Sequence, residues 1–567
     1  MNEVILMYVT AFALAWPLGF YMARVYTPES SALDRIFGPL ERVLYRISGI
    51  DPDVSMDWRA YGKAMLKLHL FMGLIVYAIL CVQQWLPLNP DDIENMSWDL
   101  SLHTMISFLT NTNQQHYSGQ AQLSYFSQMF GITALQVITP TAGLAALVAI
   151  VRTLLARPEE VRRTADDRVA VGNFYSDLVR GIVRVTMPLA VVMALLLAWQ
   201  GVPSTFQGAE TVNTLDSAAE LTEQRVPVGP VAPMVSIKQL GTNGGGWYGP
   251  NSAVPLENPT PIANFLETVA LILIPIACVF MTGYLMRRMR LAGGILAIML
   301  VFSCFFSGVA IWAENQPNAA FEGLAAEGTN MEGKEVRFGA TASALWGAFT
   351  TQTSNGSVNS MHDSWHPAGG MVLLMDMLIN ATFGGIGVGL INFILYVLLA
   401  AFLGSLMIGR APAFLGRALE TKEIKFVSIA LLIQPMLILG MTAATFAFAG
   451  LAQNSNPGFH GLSQVFYEYT SAFANNGSGF EGLGDATVWW NVTCSVNLLI
   501  ARFIPILAPL AIAAYLADKR PAPAGRGSLD VETPTFGVLT MSVIVMLVLL
   551  SFMPVLVIGP IAEWMSL

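Results

Sequence analysis

An all-α polytopic membrane protein with ten transmembrane helices is the fold class this sequence predicts, and three observations predict it. Of 567 residues, 54% are hydrophobic and only 12% charged, where a soluble domain carries about 25% charged residues; mean hydropathy is +0.56. Apolar runs long enough to cross a bilayer lie near 4–23, 64–86, 125–151, 181–200, 262–286, 291–313, 368–408, 426–452, 488–517 and 535–560. Four short polar, glycine-bearing loops are caught between apolar segments, with centres roughly 110–130 residues apart, the order of one repeat in a fourfold array.

The first run, Val4 to Ala23, follows Glu3 and precedes Arg24. Without a positive leading region it reads as a retained helix with its N-terminus outside, not as a signal peptide. The run 368–408 is too long for one span. Gly384-Gly385-Ile386-Gly387-Val388-Gly389 interrupts it, so it reads as a helix, an intramembrane glycine loop and a second helix. Basic residues then set the topology. The inner connections 24–63, 152–180, 287–290, 409–425 and 518–534 hold Arg35, Arg42, Arg46, Arg59, Arg162, Arg163, Arg168, Arg287, Arg288, Arg290, Arg417, Lys422, Lys425, Lys519, Arg520 and Arg526. The outer connections hold only Arg225, Lys238, Lys334 and Arg337. All four polar loops therefore face outside, and the Pro/Gly-rich outer segments 201–234 and 314–340 pack over their vestibule.

A short apolar half-helix precedes each loop, at 102–109, 234–240, 342–349 and 462–473, and an outgoing helix follows it. The chain divides accordingly. Residues 1–62 are a first helix and inner loop, and 63–180, 181–290, 291–425 and 426–534 are four pore repeats. Residues 535–567 are a last helix, so one extra helix lies at each end of the fourfold plan.

The loops read Thr110-Asn111-Thr112-Asn113-Gln114-Gln115, Gly241-Thr242-Asn243-Gly244-Gly245-Gly246, Thr353-Ser354-Asn355-Gly356-Ser357-Val358-Asn359 and Asn475-Asn476-Gly477-Ser478-Gly479. Any one of them could be an ordinary turn. Four in corresponding positions are another matter, because non-helical backbone at membrane depth persists only where it lines a cavity or is buried in protein. Backbone carbonyls replace the water shell of a potassium ion without holding it as tightly as carboxylates would. Glycine lets adjacent carbonyls turn to one side. The loop cores hold no Asp or Glu, which favours a weakly hydrated monovalent cation over calcium.

Other chemistry is thinly represented. There is no basic patch with interleaved aromatics for nucleic acid, no phosphate-cradling nucleotide loop and no Asp-Lys-Thr-Gly phosphorylation motif. Any ATP must be hydrolysed by another chain. Cys81, Cys278, Cys304 and Cys494 lie in apolar runs as packed thiols. His362 and His366 have the spacing of a helical metal pair, but Pro367 follows at once. Asp376 and Arg502 are charges inside spans, which face a bundle interior or water cavity with a function, or else pair structurally.

The motifs become specific together. Met56-Asp57-Trp58, Gln115-His116-Tyr117 with Leu123-Ser124-Tyr125-Phe126-Ser127-Gln128, the second loop with Asn251-Ser252 and Glu257-Asn258-Pro259-Thr260, Val358-Asn359-Ser360-Met361-His362, Phe383 to Gly389, and Thr470-Ser471-Ala472 before the fourth loop with Arg502-Phe503 after it resemble the KdpA family nearly end to end. That family comprises the potassium-binding and translocating subunits of a bacterial potassium-transporting P-type ATPase. The resemblance implies the fold of the superfamily of potassium transporters, K+ as the bound ion and the bacterial inner membrane as the location. It implies as partners an ATPase subunit (KdpB), a single-span subunit (KdpC) and a small membrane peptide (KdpF) amid membrane lipid. Filter ligands carried over by motif are Asn111, Thr112, Thr242, Asn243, Ser354, Asn355, Asn475 and Asn476. Gln115, Gly244, Gly245, Gly356 and Gly477 would support the filter and its selectivity. Gly384, Gly385, Gly387, Asp376, Asn380 and Arg502 would form a gate or cavity beneath it, from which ions leave sideways toward the ATPase.

The chain departs from the family pattern at Gln114, Gln120, Asn355, Asn380 and Ala474. At 380 a carboxylate is usual, and Asp376, one turn earlier on the same helix face, is expected to supply the missing charge. The alternative function is an autonomous channel or cation-coupled transporter of the same superfamily.

Overall fold

The computed structural model describes residues 2–27, 33–215, 222–317, 328–448, 450–522 and 530–567. Arg526 and parts of both long outer segments fall outside the described residues. Among the described residues ten helices are long and apolar enough to span a membrane: Asn2–Val25, Trp58–Trp85, Ser127–Leu154, Phe174–Gln200, Pro261–Leu285, Met289–Glu314, Val388–Met407, Thr421–Ala447, Val488–Ala517 and Pro534–Ser566. The run 368–408 breaks as expected, into the short helix Pro367–Ile379, a loop, and Val388–Met407. Several starts carry their own signals. Thr260 and Thr533 cap helices that open on Pro261 and Pro534, and Asp57 accepts from the Ala60 amide at 2.8 Å.

Burial sorts these helices into two rings. The spans that leave the polar loops are central: 83% of the apolar window is buried in Ser127–Leu154 and in Pro261–Leu285, and 67% in Val388–Met407 and in Val488–Ala517. The spans that enter, and the two terminal helices, have 22–44% buried and form the rim. Small residues let the rim close on the centre. A side chain at Gly19 would run into Phe280 and the Ala277 carbonyl, so the first helix lies flush on Pro261–Leu285.

Four half-helices dip between the rings: Trp98–Leu109, Val231–Leu240, Gly339–Gln352 and Phe459–Ala474. Each begins three or more residues earlier than hydropathy suggests, because the first turns carry polar or small residues such as Asp99 and Gly339. The inner connection 24–63 is not all loop. Leu33–Ser48 is a helix, too short for a span, whose Ile36, Leu40, Val43 and Ile47 form one exposed row, the face a helix lying along the membrane interface presents. Arg184 ties it to the bundle through Glu41 at 2.6 Å and Asp34 at 2.7 Å. The β content of the described residues is two small hairpins, Glu210–Asn213 with Glu223–Val226 and Ala413–Phe414 with Arg417–Ala418.

Candidate functional site

The four loops begin where their half-helices end, and they end alike. The amides of Thr112, Asn243, Asn355 and Asn476 each donate to the carbonyl five residues earlier, on Ser107, Lys238, Thr350 and Ser471, at 2.9–3.0 Å. The residue before each is left-handed: Asn111 (φ 61°), Thr242 (47°), Ser354 (49°) and Asn475 (52°). So is the residue after: Asn113 (57°), Gly244 (90°), Gly356 (89°) and Gly477 (104°). The residue between has negative φ. Positive, negative, positive φ is thus written four times. Holding a β-branched Thr at positive φ is costly, and such strain persists only where the surroundings enforce it.

The loops interlock in a closed ring. A Cβ on Gly244 would strike the Asn355 carbonyl, one on Gly356 the Asn476 carbonyl, and one on Gly477 the Thr112 carbonyl. Asn113 fills the equivalent place in the first loop and packs on Gly245. Asparagine tolerates left-handed backbone better than other non-glycine residues, so the first loop keeps the backbone pattern without glycine.

Side chains staple the loops rather than crowd the centre. Asn355 Nδ2 donates to the Lys238 carbonyl at 3.1 Å, Asn476 Nδ2 to the Thr350 carbonyl at 2.8 Å, and Asn243 Nδ2 to the Gln136 carbonyl at 2.9 Å. Asn111 Nδ2 reaches the Thr242 carbonyl at 3.1 Å and Asn475 Nδ2 the Thr112 hydroxyl at 3.0 Å. Gln115 clamps the second loop in both directions, donating to the Gly246 carbonyl at 3.0 Å and accepting its amide at 2.8 Å. The carbonyls of Thr112, Asn243, Asn355 and Asn476 receive no hydrogen bond from the described residues, although all four residues are fully buried. Buried carbonyls are nearly always paired. Four unpaired ones in equivalent positions are suited to a bare monovalent cation.

Buried ion pairs stand behind the ring. Lys238 is fully buried and bound by Glu257, by Asn251 Oδ1 at 2.5 Å and by Ser252 Oγ at 2.7 Å. Lys334 meets Glu314 at 2.7 Å behind the third loop. Behind the first and fourth, Glu468 takes Gln114 and His116, the latter at 3.3 Å, and His116 stacks on His103 with ring centroids 3.7 Å apart. Burial alone would lower the His116 pKa, but the Asp485 and Glu468 carboxylates outweigh it and hold it up at about 9. Sequence reasoning missed this backing; the signal was available, a lysine in a pore half-helix 19 residues before a glutamate. His116, Glu468 and Cys494 bring three ligand atoms within 4.8 Å of one another, yet both His116 nitrogens are occupied, Nδ1 by Asn491 at 2.7 Å. His362 and His366 do not pair. His362 Nδ1 meets the Tyr467 hydroxyl at 3.1 Å, while His366 caps the helix starting at Pro367.

Beneath the ring lies the glycine loop. The Ile386 amide donates to the Thr242 hydroxyl at 3.0 Å, and the Phe383 and Gly384 amides to the Gln352 carbonyl at 3.2 and 2.7 Å. Gly384 (φ 57°) closes directly on Gly389, and Gly387 (φ 77°) lies against the Gly143 carbonyl. A cavity of about 30 Å3, room for about one water, is lined by Asn111, Ser354, Asn380, Gly385, Asn475 and Arg502 among others. Ala430, Leu431 and Gln434 of the rim helix Thr421–Ala447 close it on one side. Arg502 donates to the Thr139 carbonyl at 3.3 Å and has no carboxylate partner among the described residues. Asp376 is not there. Its carboxylate accepts from Thr351 at 3.4 Å and Gln352 at 3.3 Å, fully buried behind the third pore helix. The shared-face expectation fails because the helix ends at Ile379. Asn380 is its left-handed cap (φ 46°) and turns its side chain to Ser354 Oγ, 2.8 Å away. Of the other departures, Gln120 accepts the Gly249 amide at 2.8 Å and Ala474 lines the cavity.

Known proteins resemble this chain along most of its length. The family model described as "Potassium-transporting ATPase A subunit" matches residues 5–565. The potassium-transporting ATPase potassium-binding subunit of Gloeobacter violaceus is 43% identical over 100% of this chain and 98% of its own. That of Pseudomonas aeruginosa is 45% identical over 97% and 96%. The crystal structure of the potassium transporter TrkH from Vibrio parahaemolyticus superposes with TM-score 0.50 at 13% identity, covering 89% of this chain and 98% of that one, a likeness of fold alone. By sequence over nearly its whole length, the chain belongs to the KdpA family of potassium-transporting ATPase A subunits.

Proposed function

We propose that the interlocked loops form a potassium-selectivity filter facing outside the bacterial inner membrane, and that ions passing it are handed to a P-type ATPase subunit. The four unpaired, buried carbonyls of Thr112, Asn243, Asn355 and Asn476 carry this reading, since they offer oxygen ligands with no other partner. The lack of carboxylates in the loop cores fits an ion that must leave again. Below, the guanidinium of Arg502, with no carboxylate partner among the described residues, opposes straight passage to the inner side, because a fixed cation at low dielectric repels a mobile one. The cavity's lining from the rim helix Thr421–Ala447 supports a sideways exit. Energy comes from a partner, with the single-span subunit and the small peptide completing the complex.

Purification from the native membrane separates the pump from an autonomous transporter. The expected result is a co-purifying ATPase that forms a phosphoenzyme and whose turnover rises with potassium; recovery of this chain alone, still transporting potassium, overturns the reading.

A further inference from the structure

Arg287 and Arg288 lie in the short turn between Pro261–Leu285 and Met289–Glu314, Arg290 lies in the first turn of the second helix, and Arg157 reaches the same place from another inner connection. The four arginines line one recess of about 600 Å3 together with a single acidic residue, Glu532. Arg288 takes that carboxylate at 3.0 Å. Arg157, Arg287 and Arg290 have no carboxylate partner among the described residues. Basic residues at the inner end of a span need no explanation beyond topology. Gathering three unpaired ones from two connections into one concavity does.

The recess continues into an apolar groove of about 460 Å3 that runs up between Met289–Glu314, Val388–Met407 and Pro534–Ser566 and shares Arg290 and Glu532 with it. Gly294 lies on the groove, and a side chain there would meet nothing within 4 Å. A cationic pocket opening onto a membrane-facing apolar channel matches one chemistry, a phosphodiester head joined to acyl chains. We infer that this is a binding site for an anionic diacyl phospholipid, its phosphate held by Arg287 and Arg290 and an acyl chain laid along Gly294. A soluble anion would use the arginines without the groove, and a partner's helix would use the groove without the arginines.

The test is native mass spectrometry of the intact complex after exposure to dioleoylphosphatidylglycerol or dioleoylphosphatidylcholine. The wild-type complex should retain the anionic lipid preferentially. Arg287→Gln/Arg290→Gln should reduce that preference roughly tenfold or more, as each basic residue near a membrane surface is worth about fivefold. Gly294→Trp should displace the lipid with the arginines intact, and millimolar inorganic phosphate should not compete. Potassium-stimulated ATPase activity in both variants, which leave the filter untouched, reports that they fold. An undiminished preference in the double variant overturns the site. So does displacement by phosphate alone, which marks a simple anion pocket, or a wild-type complex that holds no anionic lipid, which marks a face covered by a partner subunit.

Discussion

The first and second polar loops share one backbone and almost nothing else. Both run through positive, negative and positive φ after a half-helix. The second does so with Gly244, pressed against the Asn355 carbonyl and backed by a fully buried lysine–glutamate pair. The first does so with Asn113, whose side chain accepts from Gln136 at 2.9 Å, backed by stacked histidines against Glu468. Four equivalent carbonyls are thus set by one backbone pattern, while the supports differ loop by loop.

The sharpest way to break this comparison is at its matched positions. Gly244→Asp should raise the potassium concentration for half-maximal ATPase stimulation roughly a hundredfold, about 3 kcal/mol, and blunt discrimination against sodium and rubidium. Asn113→Gly should cost about fivefold or less, the loss of one hydrogen bond. Equal effects at both sites would mean that the loops are not equivalent in backbone.

Next come the supports. Lys238→Met strands Glu257 without a counter-charge and should cost about 3–5 kcal/mol, seen as a fall in the thermal unfolding midpoint, with Lys238→Met/Glu257→Gln recovering much of it. An unaltered midpoint in the single variant would show that water reaches the pair.

The histidine support of the first loop is distinguished by pH. His116 is held at about 9 against an ordinary 6.5. Its raised value adds stability that is fully present below pH 6.5 and is lost as pH rises through 9. Wild type should therefore lose its advantage over His116→Gln between pH 7 and 10; parallel profiles would detach the charge from the loop. The smallest effect is expected at Asp376→Asn. Its carboxylate faces Gln352 and Thr351 rather than the cavity, so potassium half-saturation should hardly move, whereas Asn380→Asp should lower it. A large shift at 376 would restore that residue to the ion path.

Much of this was legible in sequence, and the illegible parts share a cause. Spans, breaks and half-helices follow from hydropathy, Thr-Pro starts and the glycine run at 384–389, all local signals. The placement of Asp376 was misread because helical periodicity was extended one residue past Ile379, where the left-handed cap at Asn380 ends it. The helix Leu33–Ser48 escaped notice because its apolar row is one-sided and too short for a span.

Composition, run length and loop recurrence by themselves determined a ten-helix membrane protein with four carbonyl-rich loops, since the bilayer allows few other uses for such segments. Which carbonyls stay unpaired, which side chains turn outward as staples and which buried charges face each other were decided only when loops more than 100 residues apart closed into one ring. Those are long-range contacts, and a linear sequence carries no local signal for them.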